Sequence, residues 1–222
     1  MRLLEFMKIK TPIKRHSGLP VVVSQPYGNR SLNSWYQFNG VNFPFHNGID
    51  LVLDANPAKT YGTPCVACFD GVVVKTRFDT PLSPKGNGIT IESDPFEEDG
   101  FIHKYQAVYW HLSEIDVSLG QRVRAGDIIG YVGNSGLVNP PPTQQNVFGG
   151  AHLHFMIFQY TQRGAWFLDN CDNGVGGAID PLPLIDDLQG EEGKDPGISK
   201  DAPAIQYFFP SLWDKIKKAL GL

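Results

Sequence analysis

The 222-residue sequence has no uninterrupted apolar run long enough to cross a membrane. Its first residues resemble the start of a secretory signal only superficially, because Glu5 and Lys8 interrupt the apolar stretch and no small-residue cleavage site follows. We therefore expect neither a membrane-spanning segment nor a typical export signal.

Basic charge and cysteine are also scarce. The sequence has 19 Lys and Arg against 23 Asp and Glu, so no whole-protein basic field exists to attract nucleic acid, and nucleic acid is not an expected partner. The three cysteines, Cys65, Cys68 and Cys171, form an odd set. The Cys65/Cys68 pair lacks the second pair of ligands that a structural zinc knuckle needs. We expect these two thiols to be small core or strand residues.

Glycine and proline, in contrast, are frequent, with 24 and 17 residues, which favours short strands joined by turns over long helices. With 41% hydrophobic residues, the chain can also bury a substantial core. Short apolar runs alternate with Gly, Asp, Asn and Pro from residue 45 to residue 160, and we predict a mainly β fold. The predicted strands are 48–52, 64–67, 71–77, 88–93, 107–111, 128–132 and 152–158.

The composition divides the chain into four parts. Residues 1–27 are predicted to form an N-terminal arm and residues 28–183 the domain that carries the site. Residues 184–206 are acidic and contain glycine, as is typical of a linker. Residues 207–222 place apolar side chains near helical spacing among lysines, which predicts a short amphipathic C-terminal helix. We expect that helix to dock onto the domain, with contact to another protein or a membrane surface as the alternative.

Two short fragments carry the densest set of metal-binding side chains. They are His46-Asn-Gly-Ile-Asp50 and His152-Leu-His154. Side chains alternate along an extended strand, so His152 and His154 share a face there, and so do His46 and Asp50, which are four residues apart. Imidazole and carboxylate groups are ligands that zinc prefers. The spacing predicts a zinc site but leaves open which of the four residues are ligands.

Four segments of the chain match a known pattern in their order and content. Together they resemble the lysostaphin/LytM-type zinc metallopeptidases, which cut the peptide cross-links of bacterial peptidoglycan. The resemblance extends from about residue 28 to residue 183. It implies an antiparallel β-sandwich with a groove, similar to a duplicated hybrid motif, with long loops. The segments are 46–50, 109–113, 120–130 and 150–155, with Gly133-Asn134-Ser135-Gly136 and Ile179-Asp180-Pro181 as further landmarks.

Carried over residue by residue, the resemblance implies one zinc ion per chain, held by His46, Asp50 and His154. Three protein ligands leave a fourth position for water, as in catalytic zinc sites. The resemblance makes His111 and His152 the catalytic residues. One of them takes the proton of the water and the other donates a hydrogen bond to the oxyanion, and which does which stays open. The sequence has no His-Glu-x-x-His helix to supply a carboxylate base.

The resemblance therefore implies a zinc-dependent endopeptidase that hydrolyses cross-links or stem peptides of peptidoglycan, and we expect a monomer. The missing export signal suits a phage-encoded lysin, or a bacterial protein exported by a non-standard route to the cell wall. The alternative is a non-catalytic relative that binds the wall or regulates another hydrolase. The complete set of ligands and histidines favours the enzyme. The sequence does not choose between glycine bridges and cross-links that contain D-alanine.

The neighbours of His111 were assigned by the alternation of a strand. Tyr109 is two residues away and is predicted to share its face, while Trp110 is predicted to point into the core. Neither is assigned to the catalytic set. His16 and His103 match no part of the pattern, and we predict them at surface or loop positions.

Overall fold

The computed structural model describes residues 8–14, 18–29, 36–38, 41–43, 45–80, 85–171, 173–186 and 188. These residues form a mainly β, antiparallel architecture, as predicted. The predicted C-terminal helix and nearly all of the predicted linker lie outside the described residues, as does His16. The division into four parts stays a prediction. Within the described ranges, no helix has the length and apolar character that crossing a bilayer requires.

The described ranges contain fourteen strands and two short helical pieces. The helical pieces are α1 (Pro57–Thr60), whose first turn is capped by the side chain of Asn56, and a 3-10 turn at Leu182–Leu184. The strands are β1 (Val21–Gln25), β2 (Tyr36–Phe38), β3 (Val41–Phe43), β4 (Ile49–Leu53), β5 (Pro64–Val66), β6 (Gly71–Arg77), β7 (Asn87–Ser93), β8 (Phe96–Glu98), β9 (Phe101–Ile115), β10 (Arg122–Val123), β11 (Ile128–Val132), β12 (Leu153–Arg163), β13 (Ala165–Leu168) and β14 (Ala178–Ile179).

Every predicted strand has a counterpart in the structure, but two of them are much longer than predicted. β9 has 15 residues and β12 has 11, where the sequence suggested segments of five and seven. The added part of β9 carries Lys104 and Gln106 in alternation with buried residues. A search for apolar runs stops at such polar positions, although alternation is what a strand with two different faces requires.

The register of the central sheet decides which side chains meet. Its strand order is β1-β4-β12-β9-β7-β6-β10, and each of these pairs is antiparallel. β11 joins β9 to β5, while β2 and β3 form a separate two-stranded sheet. In an antiparallel pair, residues that lie directly opposite each other project to the same face.

The two faces of the sheet differ in composition. Alternate residues of β9 and β12, including Tyr105, Tyr109 and Phe155, are fully buried in the main core. Ile9 from the N-terminal arm also packs there, together with Cys65 and Cys68, which confirms the prediction for these two thiols. The second face carries a smaller apolar cluster and the histidines described next. The buried members of this cluster are Val108, Met156, Phe158, Val175 and Ala178.

Candidate metal centre

The sheet register brings Asp50 and His154 together. Asp50 of β4 lies opposite His154 of β12, which in turn lies opposite Trp110 of β9. His46 comes from the segment before β4, where its backbone N–H donates to Asn29 O at 2.8 Å. Gly48 allows this segment to approach β12, because a Cβ atom at that position would strike the carbonyl of Phe155. The glycine inside the His46-to-Asp50 fragment is therefore a packing requirement.

Three potential ligand atoms form a compact triangle. His46 Nε2 lies 2.9 Å from His154 Nδ1 and 3.1 Å from Asp50 Oδ1, and the last two atoms are 2.8 Å apart. Zinc with ligands at about 2.1 Å in tetrahedral geometry separates them by about 3.4 Å, so small side-chain shifts accommodate the ion. All three residues are buried. This set could hold one metal ion, and it contains the three residues that the resemblance assigned as ligands.

A hydrogen bond orients the ring of His46, and an aromatic contact orients the ring of His154. His46 Nδ1 lies 3.0 Å from Pro26 O, and because a carbonyl only accepts, Nδ1 carries the proton and Nε2 faces the triangle with its lone pair. His154 is held by the indole of Trp110, which stacks on it at 5.1 Å between ring centroids. His154 Nε2 is buried and has no hydrogen-bond partner within the described part of the chain.

Two further histidines lie beside the triangle. The rings of His111 and His152 are 4.7 Å apart, and His152 Nε2 is 3.6 Å from Asp50 Oδ1. His111 Nδ1 donates to Ser135 O at 2.8 Å, and His152 Nδ1 donates to Gly150 O at 2.7 Å. Each neutral ring therefore keeps Nε2 unprotonated, which is the nitrogen that can exchange a proton with a substrate or water.

The electrostatics of the cluster favour an ionised Asp50 beside neutral rings of His111 and His154. Burial alone would raise the pKa of Asp50, but His46, His152 and a hydrogen bond from His154 outweigh it and hold that pKa well below its usual value. Burial first, and then the charges of His152 and His154, lowers the pKa of His111 from 6.5 to about 3. Burial also lowers the pKa of His154, to about 4, against the opposing effect of Asp50.

A β-bulge places His111 on this face. Asn87 and Gly88 are consecutive on β7, yet they pair with Leu112 and Trp110, so His111 is the extra residue of β9. Its φ of 65° lies in the left-handed region, which a non-glycine residue rarely adopts. The bulge shifts the alternation by one residue, and Leu112 then returns to the core.

The bulge is stabilised by the Gly133-to-Gly136 landmark. Ser135 Oγ donates to Leu112 O at 2.7 Å and accepts from the backbone N–H of Asn87 at 2.9 Å. The side-chain amide of Asn87 donates to the same Leu112 carbonyl at 3.0 Å. Ser135 thus fixes the strand beside His111 with its hydroxyl and the His111 ring with its carbonyl. Sequence reasoning recognised the landmark without this role, and it missed Asn87.

Three predictions about nearby residues are wrong. Tyr109 does not face the groove but is fully buried, and its hydroxyl accepts from Cys68 N at 3.0 Å. Trp110, predicted in the core, instead faces the cluster and stacks on His154. Both errors arise because the bulge at His111 breaks the alternation on which they depended. His103, predicted at a surface or loop position, is a buried residue of β9.

The fold and the cluster together define a candidate metallopeptidase, and comparison with known proteins agrees. The profile of peptidase family M23 matches residues 44–165, which is more than half of the chain. The chain therefore belongs to peptidase family M23.

Individual relatives share part of their length with this chain. The chain is 34% identical to the glycyl-glycine endopeptidase ALE-1 of Staphylococcus capitis, over 66% of this chain and 30% of that protein. It is 36% identical to the peptidoglycan DD-endopeptidase ShyA of Vibrio cholerae serotype O1, over 50% of this chain and 20% of that protein. The solved catalytic domain of lysostaphin from Staphylococcus simulans aligns at 28% identity with a TM-score of 0.44, covering 72% of this chain and 88% of that one. The chain thus spans less than a third of these two curated relatives.

Proposed function

We propose that the protein is a zinc-dependent endopeptidase that hydrolyses cross-links or stem peptides of bacterial peptidoglycan. One observation carries the proposal: His46, Asp50 and His154 direct three ligand atoms at one point, and two more histidines lie beside them on the same face. A non-catalytic relative has no need of the additional pair. Membership of peptidase family M23 and the relatives named for peptidoglycan or glycyl-glycine cleavage support the substrate class.

The chain's part in binding the ion is to present one Nε2, one Nδ1 and one carboxylate oxygen. A bound zinc ion lowers the pKa of a coordinated water from about 15.7 towards about 7 and polarises a carbonyl oxygen. His46 is pre-oriented for this by Pro26 O, and His154 by the Trp110 ring. A set of three protein ligands leaves room for a substrate or water, as catalytic rather than structural zinc sites do.

The proton transfers belong to His111 and His152. With Nδ1 of each ring donating to a backbone carbonyl, Nε2 of one ring accepts the proton of the attacking water and later donates it to the departing amine. The other ring can donate a hydrogen bond to the oxygen on which negative charge develops once Nε2 has also taken up a proton from solvent, so this role belongs to the imidazolium form. The two hydrogen bonds to carbonyls keep both rings in one orientation throughout.

The test begins with the metal. The purified protein should contain one zinc per chain by elemental analysis, and His46→Ala or Asp50→Ala should lose both the metal and the activity. Asp116→Ala, which removes an exposed carboxylate outside the cluster, serves as the control and should retain both. A chain that binds no stoichiometric zinc contradicts the proposal.

The reaction is tested on purified walls of different bridge chemistry. Digestion should release new amino termini, which labelling and mass spectrometry locate, and their position identifies the bond that is cut. Release of reducing sugars without new amino termini would contradict the peptidase assignment.

A further inference from the structure

The row of side chains that contains the candidate metal centre continues across the sheet. Asp50 lies opposite His154, His154 opposite Trp110, Trp110 opposite Gly88, and Gly88 opposite Arg77 of β6. Opposed residues of an antiparallel sheet project to one face, so Arg77 shares a face with the ligands. Lys75, two residues earlier and opposite Thr90, projects to the same face.

A small cavity lies at this end of the row. It has a volume of about 210 Å³, and three basic side chains, Lys75, Arg77 and Lys85, contribute to its wall. The described residues that line it include no acidic side chain. Glu92, an acid of the adjacent strand, does not line the cavity and is paired with Lys104 at 2.9 Å, while it also accepts from Gln106 at 2.8 Å.

Trp110 connects this cavity to the candidate metal centre. Its indole stacks on His154 at 5.1 Å, while the ammonium group of Lys85 lies 4.8 Å from its ring centroid. The absence of a side chain at Gly88 leaves room for the indole, because a Cβ atom there would lie 2.7 Å from Trp110 Cδ1. The indole of Trp110 therefore contacts both a basic side chain of the cavity, Lys85, and a candidate ligand, His154.

The three cations repel one another. Burial first, and then the charges of Arg77 and Lys75, lowers the pKa of Lys85 from 10.5 to about 8. An anion bound among them relieves this repulsion and forms charge-assisted hydrogen bonds. Three strand spacings of about 4.8 Å separate β6, which carries Arg77, from β12, which carries His154. An extended peptide advances about 3.3 Å per residue. A peptide that lies across the strands therefore reaches Arg77 within roughly four residues of the candidate metal centre.

We propose that Lys75, Arg77 and Lys85 form a basic subsite that binds a carboxylate of the substrate peptide, so that the enzyme selects acidic stem peptides over neutral glycine bridges. This inference rests on the proposed function, since it needs a peptide in the groove. The inference adds to the proposed function the charge of the substrate and the side chains that bind that charge.

The test uses the full-length, zinc-loaded protein and two synthetic cross-linked stem peptides, which differ only in whether their acidic groups are free carboxylates or carboxamides. Calorimetry measures binding of each peptide, and mass spectrometry measures cleavage. We expect the carboxylate peptide to bind about tenfold more tightly, and the difference to shrink as salt is added. The double variant Lys75→Gln/Arg77→Gln should bring the ratio of the two affinities close to one, and Lys85→Gln should reduce it.

A second double variant, Lys14→Gln/Arg124→Gln, removes the same charge from exposed positions outside the row and should keep the tenfold ratio. Equal affinities in the parent protein, or an unchanged ratio in Lys75→Gln/Arg77→Gln, would overturn the subsite. The two proposals fail separately. If both peptides are bound and cut equally, the peptidase stands and the subsite fails. If the preference depends on these residues but no peptide or wall is cut, the subsite stands and the peptidase fails.

Discussion

Two histidines of β9 are buried to the same degree, with His103 7% and His111 8% exposed, yet their ring nitrogens are used differently. His103 uses both: Nε2 donates to Glu98 O at 3.2 Å, and Nδ1 accepts from Gln159 Nε2 at 3.1 Å. His111 uses Nδ1 for Ser135 O and turns the ring towards His152. Burial alone therefore does not mark a functional histidine. The use of the second nitrogen, and the backbone that aims it, distinguish the two.

The largest expected effect separates the two histidines by activity. His111→Gln removes a proton-transfer group and should lower kcat/KM about 100-fold to 10,000-fold, with zinc content unchanged. His103→Gln should leave kcat/KM within about twofold of the parent, because it lies outside the cluster and general acid–base catalysis needs direct contact. Rates on a soluble cross-linked peptide, with zinc measured in each preparation, check this. Equal losses in both variants would remove the distinction.

Acidification should reveal the neutral state of His111. The pKa of His111 is about 3 in the folded protein and 6.5 in an unfolded chain. Between these two pH values the unfolded chain binds a proton at this ring and the folded protein does not. The stability contributed by the neutral ring is complete above pH 6.5 and is lost as the pH falls towards 3. Between pH 7 and pH 5 we expect a loss of about 2 kcal/mol from this group.

Denaturant unfolding at several pH values measures that loss. His111→Gln should lose less stability on acidification than the parent, since it has no imidazole at this position to protonate. Thr161→Val, which leaves His111 in place, is the matched control and should keep the steeper dependence. A parallel pH profile for His111→Gln and the parent would contradict the assignment.

His103 should matter for stability instead. His103→Gln removes a ring that donates to Glu98 O and accepts from Gln159, and it should lower the free energy of unfolding by about 1 to 3 kcal/mol. Thermal unfolding of the zinc-loaded protein provides the measurement. A variant as stable as the parent would show that these hydrogen bonds contribute nothing net.

The smallest effect concerns the hydroxyl between His103 and Asp169. Thr161 Oγ1 donates to Asp169 Oδ2 at 2.6 Å and contacts His103 Nδ1. Thr161→Val keeps the shape and removes the hydrogen bond to Asp169, which should cost about 1 kcal/mol. Thr161→Ser retains the hydroxyl, so it should recover most of the loss. Equal stability of the Val and Ser variants would show that the hydroxyl has no role.

The sequence predicted what depends on local periodicity and residue type. The mainly β fold followed from short apolar runs between turn residues, and the pairing of His46 with Asp50 followed from an even spacing within one short segment. Cys65 and Cys68 followed from the apolar segment that contains them. These features need no knowledge of partner strands.

Features set by partner strands were not accessible in this way. Whether Tyr109 or Trp110 faces the groove depends on the bulge at His111, which is visible only in the pairing of β9 with β7. The burial of His103 depends on Thr161, 58 residues away on β12. The alternation of Lys104 and Gln106 with buried residues indicates the longer β9. The placement of Arg77 in one row with Asp50 likewise exists only in the register of five strands.

The bulge at His111 makes the proposed proton-transfer position separable from the architecture of the sheet, because that position is one extra residue of β9. Deleting residue 111 would let Leu112 follow Trp110 directly, so β9 would pair regularly with β7 while Leu112 kept its partner Asn87 and its place in the core. A point substitution changes which group is offered to a substrate. A single-residue deletion would instead remove the backbone position that holds this side chain. The sheet as far as Trp110 would keep its register.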